Sequence, residues 1–425
     1  MAQTAKTIEL MMEKAIDTHE QEDILLPLIT SVEPDGAVMQ NAGNVIIRPV
    51  PQHRPLISGW DTSGQATDII TEAYLASLGT PVNDRIDQRA DQLRDTQYWI
   101  DAAGESGRKQ STAVNVAIAN EMRAKAALYY RSNDTSGYDF VSEAGALMRE
   151  RQGALSEKCF LFNTRDSVLF GSDLAARQNI NGRAEKAWEK GRIGEGSVAG
   201  FKLYDGTFLP NLTGGADPAT TVTGNHSFAP RAGTVVTDNI VTNYDYREAA
   251  FVVADSSGYT VNDKVTIANA GVTIKALGKM DKTNTGEAMT FTITAITDAT
   301  HVTLWPRPIA ADDAALTLLE KAYANVDTTA LNAATLNRIN TDATQKTNLF
   351  WDKSAVEIIR GNIPAQFFAK FEGMKVRQEK MKNGLTMYFL YGGDMDSLTF
   401  KFRLFTWYGL TVAKPDQVGV AVTFT

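Results

Sequence analysis

Apolar and polar positions repeat with different periods in successive parts of the chain, and each period predicts its own kind of element. Over residues 1–30, Glu9, Glu13, Asp17 and Glu20 recur at helical spacing, with Ile8, Met11, Met12, Ala15 and Ile16 forming an apolar face beside them. Residues three or four apart share a helix face, so this segment reads as an acidic terminal helix. Its charged face is either simply solvated or a contact strip for a basic partner. Residues 45–60 read VIIRPVPQHRPLISGW, a short strand-like run crowded by Pro49, Pro51 and Pro55. Proline removes a ladder donor, which excludes a central strand. An extended loop is therefore expected over about 50–75, returning near Ala66–Leu78, and long loops of this kind commonly reach a neighbour.

The longest helical pattern is predicted over 84–131, where Val114, Ile118, Met122, Ala126 and Tyr129 make an apolar stripe. Gly104 and Gly107 interrupt it upstream. They either mark a place where the helix bends or only relieve packing. Residues 138–210 mix predicted helices (138–151, 171–178, 183–190) with a short apolar strand over 159–162. From Thr213 to Leu304 threonine displaces leucine, leaving only Leu277 and Leu304. FVVA, KVTIA, VTIKA, MTFTITAIT and HVTLW alternate with Gly, Asn and Asp turns. That is the pattern of a small antiparallel barrel or sandwich. Helices are predicted again at 311–319 and 354–360, and strands at 386–391 and 398–407, so the β unit is an insertion in an α+β body.

Composition narrows the function. With 425 residues, 43% hydrophobic and 22% charged, the chain can bury a large core. No apolar run reaches the roughly 18–20 residues that cross a bilayer, and the N-terminal segment does not read as a secretory signal. A net charge of −8 argues against a general nucleic-acid binder. Cys159 stands alone in the apolar run KCFLF, which excludes an intrachain disulfide and fits a core thiol. His19, His53, His226 and His301 are not spaced to share a metal, and the glycines from Gly191 to Gly200 follow a helix-like run instead of a strand. No catalytic, cofactor or metal site is expected.

Several words of the sequence occur in a telling order: Gly59-Trp60-Asp61, RADQLRD from Arg89, Val198-Ala-Gly-Phe201 and Ser227-Phe-Ala-Pro230, then HVTLWPRPIAADDA from His301, Ala322-Tyr-Ala-Asn-Val326, Trp407-Tyr-Gly409 and KPDQVG from Lys414. In this order the chain resembles, from end to end, the major capsid (coat) proteins of short-tailed phages of enteric bacteria. The resemblance implies the tailed-phage and herpesvirus major-capsid fold with an inserted domain. Its parts would be an N-terminal arm (1–35), a strand and extended loop (36–83), a spine helix (84–131), a body (132–212 and 326–425) and an inserted β-barrel (213–325).

The resemblance also implies a function. Many copies would assemble as hexamers and pentamers into an icosahedral head around double-stranded DNA, with a scaffolding protein and a portal protein as partners, no cofactor and no membrane. Assembly would take place in the host cytoplasm, and the product would be a virion shell that expands on maturation. Trp60 and Asp61 would meet an adjacent subunit through the extended loop, since aromatic anchors dominate interfaces, although Trp60 packed on its own domain is the alternative. Asp238, Asp245 and Arg247 would belong to a loop reaching a neighbouring capsomer. Glu9, Glu13 and Asp17 would dock a basic helix of the scaffolding protein, and Gly104 and Gly107 would be the helix hinge. Residues 50–75 contain no lysine, so a covalent cross-link through a loop lysine is not expected and the shell should be non-covalent. The inserted domain would serve as a folding nucleus or as an external brace. An acidic lumenal surface would let DNA pack without adhering. A phage tail or adhesin-type module is the rival reading, but it would be strand-rich throughout and need no spine helix.

Overall fold

The apolar stripe through Val114, Ile118 and Met122 lies on helix α2, Thr96–Ala124, the longest among the described residues. It is shorter than the predicted 84–131 because both ends become strands. Val82–Arg89 pairs along its whole length with Thr399–Thr406, and Leu128–Ser132 pairs in parallel with Val418–Thr423. Ladder partners distant in sequence override local helical preference there. The computed structural model describes residues 2–34, 45–50, 59–61, 72–89, 96–132, 138–153, 155–176, 197–230, 235–237, 240–242, 247–342, 344–364, 368, 375–394 and 399–423. The chain divides into two units: Met1–Ile46, Ala76–Ile118 and Glu357–Thr411 form the first, and Ile47–Leu75, Ala119–Val356 and Val412–Thr425 the second.

In the first unit, helix α1 (Ala2–Glu22) buries Ile8, Met11, Met12, Ala15 and Ile16, the face its periodicity predicts. A four-stranded antiparallel sheet runs in the order Lys375–Lys380, Thr386–Asp394, Thr399–Thr406, Val82–Arg89. Trp99 of α2 seats on this sheet, with ring centroids 6.2 Å from Phe400 and 5.4 Å from Phe402. A smaller sheet places Thr30–Val32 beside Val356–Arg360, next to Tyr408–Val412. The helix predicted at 354–360 is absent. A single 3-10 turn, Lys353–Ala355, leads into the strand, whose Val356, Ile358 and Ile359 are fully buried. β-branched side chains favour that pleated, two-sided burial.

The second unit holds a mixed sheet in the order Leu128–Ser132, Val418–Thr423, Thr344–Asp352, Lys158–Asn163, Phe201–Gly206, Ser197–Val198. Helices α3 (Tyr138–Glu150) and α4 (Thr164–Ala176) contribute Phe140 and Phe170 to an aromatic core with Phe160, Phe162, Phe201 and Phe350. Helix α4 starts earlier than the predicted 171 because Asn163 Oδ1 accepts from Arg165 N at 3.1 Å, an N-cap ahead of Asp166. The helix predicted at 183–190 lies outside the described residues.

Within this unit the threonine-rich segment forms its own barrel. The strand order is Thr220–Thr221, Thr335–Arg338, Lys264–Asn269, Phe291–Asp298, His301–Trp305, Ala249–Val252. The ends meet at a Val222–Val253 bridge, where Thr223 N donates to Val252 O and Ala254 N to Thr221 O, both at 2.8 Å. Phe251, Val265, Ile267, Phe291, Ile293 and Leu336 fill the interior. The barrel recruits Thr335–Arg338, beyond residue 325, because Lys264–Asn269 needs an antiparallel partner on that side. No helix forms at 311–319: Asp313 accepts from Ala315 N at 2.9 Å and Glu320 from Thr317 N at 2.8 Å, so side chains hold the backbone in turns.

Candidate assembly surfaces

Val45–Val50 and Glu72–Ser77 pair as a two-stranded sheet on either side of the segment expected to form the extended loop. Arg48 Nε donates to Tyr74 Oη at 3.0 Å, and Tyr323 Oη accepts from Glu72 N at 3.1 Å while donating to Val50 O at 3.4 Å. Both loop ends are thus tied to one tyrosine. Of the segment between them only residues 59–61 are described. Trp60 there is fully exposed at 107% relative accessibility, and Asp61 is exposed as well. The alternative in which Trp60 packs on its own domain is not what the structure shows. The indole is left entirely in water within the single chain.

The acidic face of α1 is exposed at Glu9, Glu13 and Asp17, but it is not uniform. Glu9 meets Arg377 at 3.6 Å. Glu20 takes Lys382 Nζ at 2.9 Å and Lys382 N at 2.7 Å, and these contacts with Lys382 hold its carboxyl below the usual range despite some burial. Glu33 meets Lys380 at 2.9 Å. The basic strand KVRQEK and the turn after it thus occupy part of the stripe, leaving Glu13 and Asp17 as its open portion. This internal partner escapes a reading of α1 alone; the cluster of Lys375, Arg377, Lys380 and Lys382 is the signal that could have found it. At the end of α1, burial pushes the His19 imidazole down to about 4, and burial raises the Asp23 carboxyl to about 6.

Gly104 and Gly107 sit inside the unbroken helix α2. A Cβ on Gly107 would lie 2.2 Å from Ala15 O of α1, whereas one on Gly104 would meet only side-chain atoms of Lys14 and Thr18 at 3.4 Å. The space left by Gly107 is the seat of the arm.

Arg247 departs from the expectation of a loop reaching outward. It is 4% exposed. Its Nη1 donates to Val412 O at 2.5 Å and Ala413 O at 3.1 Å, and its guanidinium lies 4.4 Å from the ring centroids of both Tyr74 and Trp305. A cation desolvated between two rings and two carbonyls is committed to its own subunit. Asp238 and Asp245 lie outside the described residues.

Sequence reading also misses the contact between the barrel and the end of α2. Lys264 is fully buried, and its Nζ donates to Thr292 Oγ1 at 2.6 Å, Arg123 O at 2.8 Å and Ala126 O at 3.3 Å. Trp305 Nε1 donates to Lys125 O at 2.9 Å. The barrel therefore supplies donors for carbonyls that a helix end leaves unsatisfied. Burial holds the Lys264 ammonium well below the ordinary lysine pKa. Nothing in the local pattern KVTIA distinguishes this lysine from a solvated one.

Among the described residues no group of His, Cys, Asp or Glu is placed to hold a metal ion, and no helix is long and apolar enough to cross a membrane. Cys159 is buried, and its thiol is pushed up to about 12 by that burial. A terminal arm seated on a spine helix, an exposed Trp60 and a barrel that braces the helix end fit a structural subunit of a shell. The family model described as "P22 coat protein – gene protein 5" matches residues 1–423, and the chain belongs to that family. It is a structural major capsid protein of a virion, forming an icosahedral shell, and not an enzyme. Solved structures to which it is similar include the capsid of the cyanophage P-SCSP1u (12% identity, 94% of this chain and 87% of that one, TM-score 0.43). Mycobacterium phage Che8 (11%, 94% and 90%, TM-score 0.43) and the mature capsid of bacteriophage PhiM1 (9%, 95% and 87%, TM-score 0.43) are others.

Proposed function

We propose that the subunit assembles as hexamers and pentamers whose contacts run through the extended loop, without covalent cross-links. The fully exposed Trp60, presented between two strands tied at their base, supports this most directly. Each subunit meets several copies, so modest contacts sum to a stable shell. Trp60→Ala should leave the subunit's unfolding free energy within about 0.5 kcal/mol of the parent, because the side chain touches little of its own chain. It should weaken assembly by about 2 kcal/mol or more per contact, as loss of a buried aromatic anchor does. Light scattering of assembling subunits measures this, and shells forming at the parent's critical concentration would exclude the role.

A scaffolding protein docks a basic helix on the open portion of the arm, Glu13 and Asp17, with Glu9 at its margin. A portal protein joins the shell at one position, double-stranded DNA is enclosed without sequence-specific contact, and the precursor expands on maturation. Glu13→Lys turns an attraction into a repulsion at an exposed site, where single pairs contribute about 0.2–1 kcal/mol. Affinity for the scaffolding protein should fall several-fold at about 0.1 M salt and converge with the parent at about 1 M, where screening is nearly complete. Equal affinity at low salt rules the strip out.

A further inference from the structure

A cleft of about 90 Å³ lies where the base of the extended loop, the barrel and the C-terminal segment come together. Arg247, Lys279, Lys282 and Arg307 line it, against the two carboxylates Glu72 and Asp416. In a chain of net charge −8 this local balance is reversed. The guanidinium groups are buried and fixed: Arg247 bonds Val412 O and Ala413 O, and Arg307 bonds Glu248 O at 2.7 Å and Ala229 O at 3.1 Å. They supply a permanent positive field, since arginine does not lose its proton in proteins. Lys282 Nζ reaches Ala324 O at 3.1 Å, which uses one of an ammonium's three donors. Burial lowers its pKa to about 8, with Asp416 opposing the shift and the neighbouring Lys279 adding to it. Lys279 and Lys282 thus share the lining of one cleft. One water needs about 10–15 Å³, so the cleft has room for several waters or one small oxyanion.

We propose that this cleft binds a small oxyanion of the phosphate type, held between Lys279 and Lys282 in the field of Arg247 and Arg307. Charge-assisted hydrogen bonds from ammonium groups to such an oxygen are short and about twice as strong as neutral ones. The bound ion offsets the cationic lining and links loop base, barrel and C-terminal segment. Binding to the folded chain alone stabilises it in proportion to the logarithm of ligand concentration.

The test uses the full chain as dissociated subunits and inorganic phosphate as the probe, followed by phosphorus NMR line broadening and by thermal unfolding against chloride at equal ionic strength. The parent should broaden the phosphate resonance saturably and melt higher in phosphate. The double variant Lys279→Met, Lys282→Met should bind at least tenfold more weakly and lose the excess melting shift while remaining as stable as the parent in chloride. Should that variant not fold, Lys279→Gln, at a half-buried position, should still weaken binding several-fold. No saturable broadening by the parent, or identical phosphate responses in parent and variants, overturns the proposal, because a bulk salt effect acts on all equally. Assembled shells then identify the occupant in the virion. Persistence of the phosphate response there supports the ion as the site's occupant in the virion, and its loss counts against that role.

Discussion

Gly107→Ala is expected to unseat the N-terminal arm. The added Cβ would stand 2.2 Å from Ala15 O, 3.0 Å from Ala15 C and 3.1 Å from Ala15 Cα, all backbone atoms of α1. No rotamer change relieves a clash with backbone, so α1 must shift away from α2. Overpacking of this kind costs about 1–3 kcal/mol, occasionally more, and here it also loosens the burial of Ile8, Met11, Met12, Ala15 and Ile16. The opposing gain, alanine over glycine in a helix interior, is about 1 kcal/mol. With backbone on the far side the clash wins, for a net loss of about 1–2 kcal/mol and faster proteolysis of residues 2–22. Gly104→Ala is the control. Its Cβ would meet only side-chain atoms of Lys14 and Thr18, no nearer than 3.4 Å and none of them backbone, so the helix gain should dominate and stability should rise slightly. Denaturant unfolding and limited proteolysis of both variants distinguish a packing seat from a flexible joint. Equal behaviour of the two variants counts against the seat.

Removing the Lys264 side chain should loosen the end of α2 from the barrel. Lys264→Ala opens a cavity at a fully buried site and strips a donor from Arg123 O. Large-to-small core changes and broken buried polar contacts each fall at about 2–5 kcal/mol, and about 3–5 kcal/mol is expected here. Lys264→Met keeps the volume and removes the cost of burying an ammonium, whose pKa burial already depresses. It still leaves Arg123 O without that donor, while Ala126 O retains Thr292 Oγ1 at 2.9 Å. One orphaned carbonyl costs about 1–3 kcal/mol, so Met should be destabilising but milder than Ala. Hydrogen exchange at 119–126 is the decisive readout, because a merely local barrel defect would not speed it. Parent-like exchange in both variants would mean that the barrel does not hold the helix end.

The barrel's closure also bears on its part in folding. Its partner strand Thr335–Arg338 lies past residue 325, so an independent unit must include it. Arg338 pairs in the interior with Asp263, whose carboxylate also accepts from Asn340 Nδ2 at 3.0 Å and Thr260 N at 2.7 Å. Breaking one partner of such a buried pair costs more than the pair contributes, so a fragment ending before Arg338 would carry an unpaired buried charge.

Short-range periodicity was enough for α1 and its buried face, for the core of α2 and for the alternating strands of the barrel. In each, one face of a regular element must be apolar, and that requirement is written residue by residue. Partners far away in sequence decided the rest. The ends of the predicted spine became strands through ladders with Thr399–Thr406 and Val418–Thr423. Residues 356–360 became a strand because burial on two faces suits β-branched side chains. Arg247 turned inward because two rings and two carbonyls wait for it. A charged side chain looks the same in sequence whether it meets water, a neighbour or a buried carbonyl, since desolvation depends on what the folded chain brings around it.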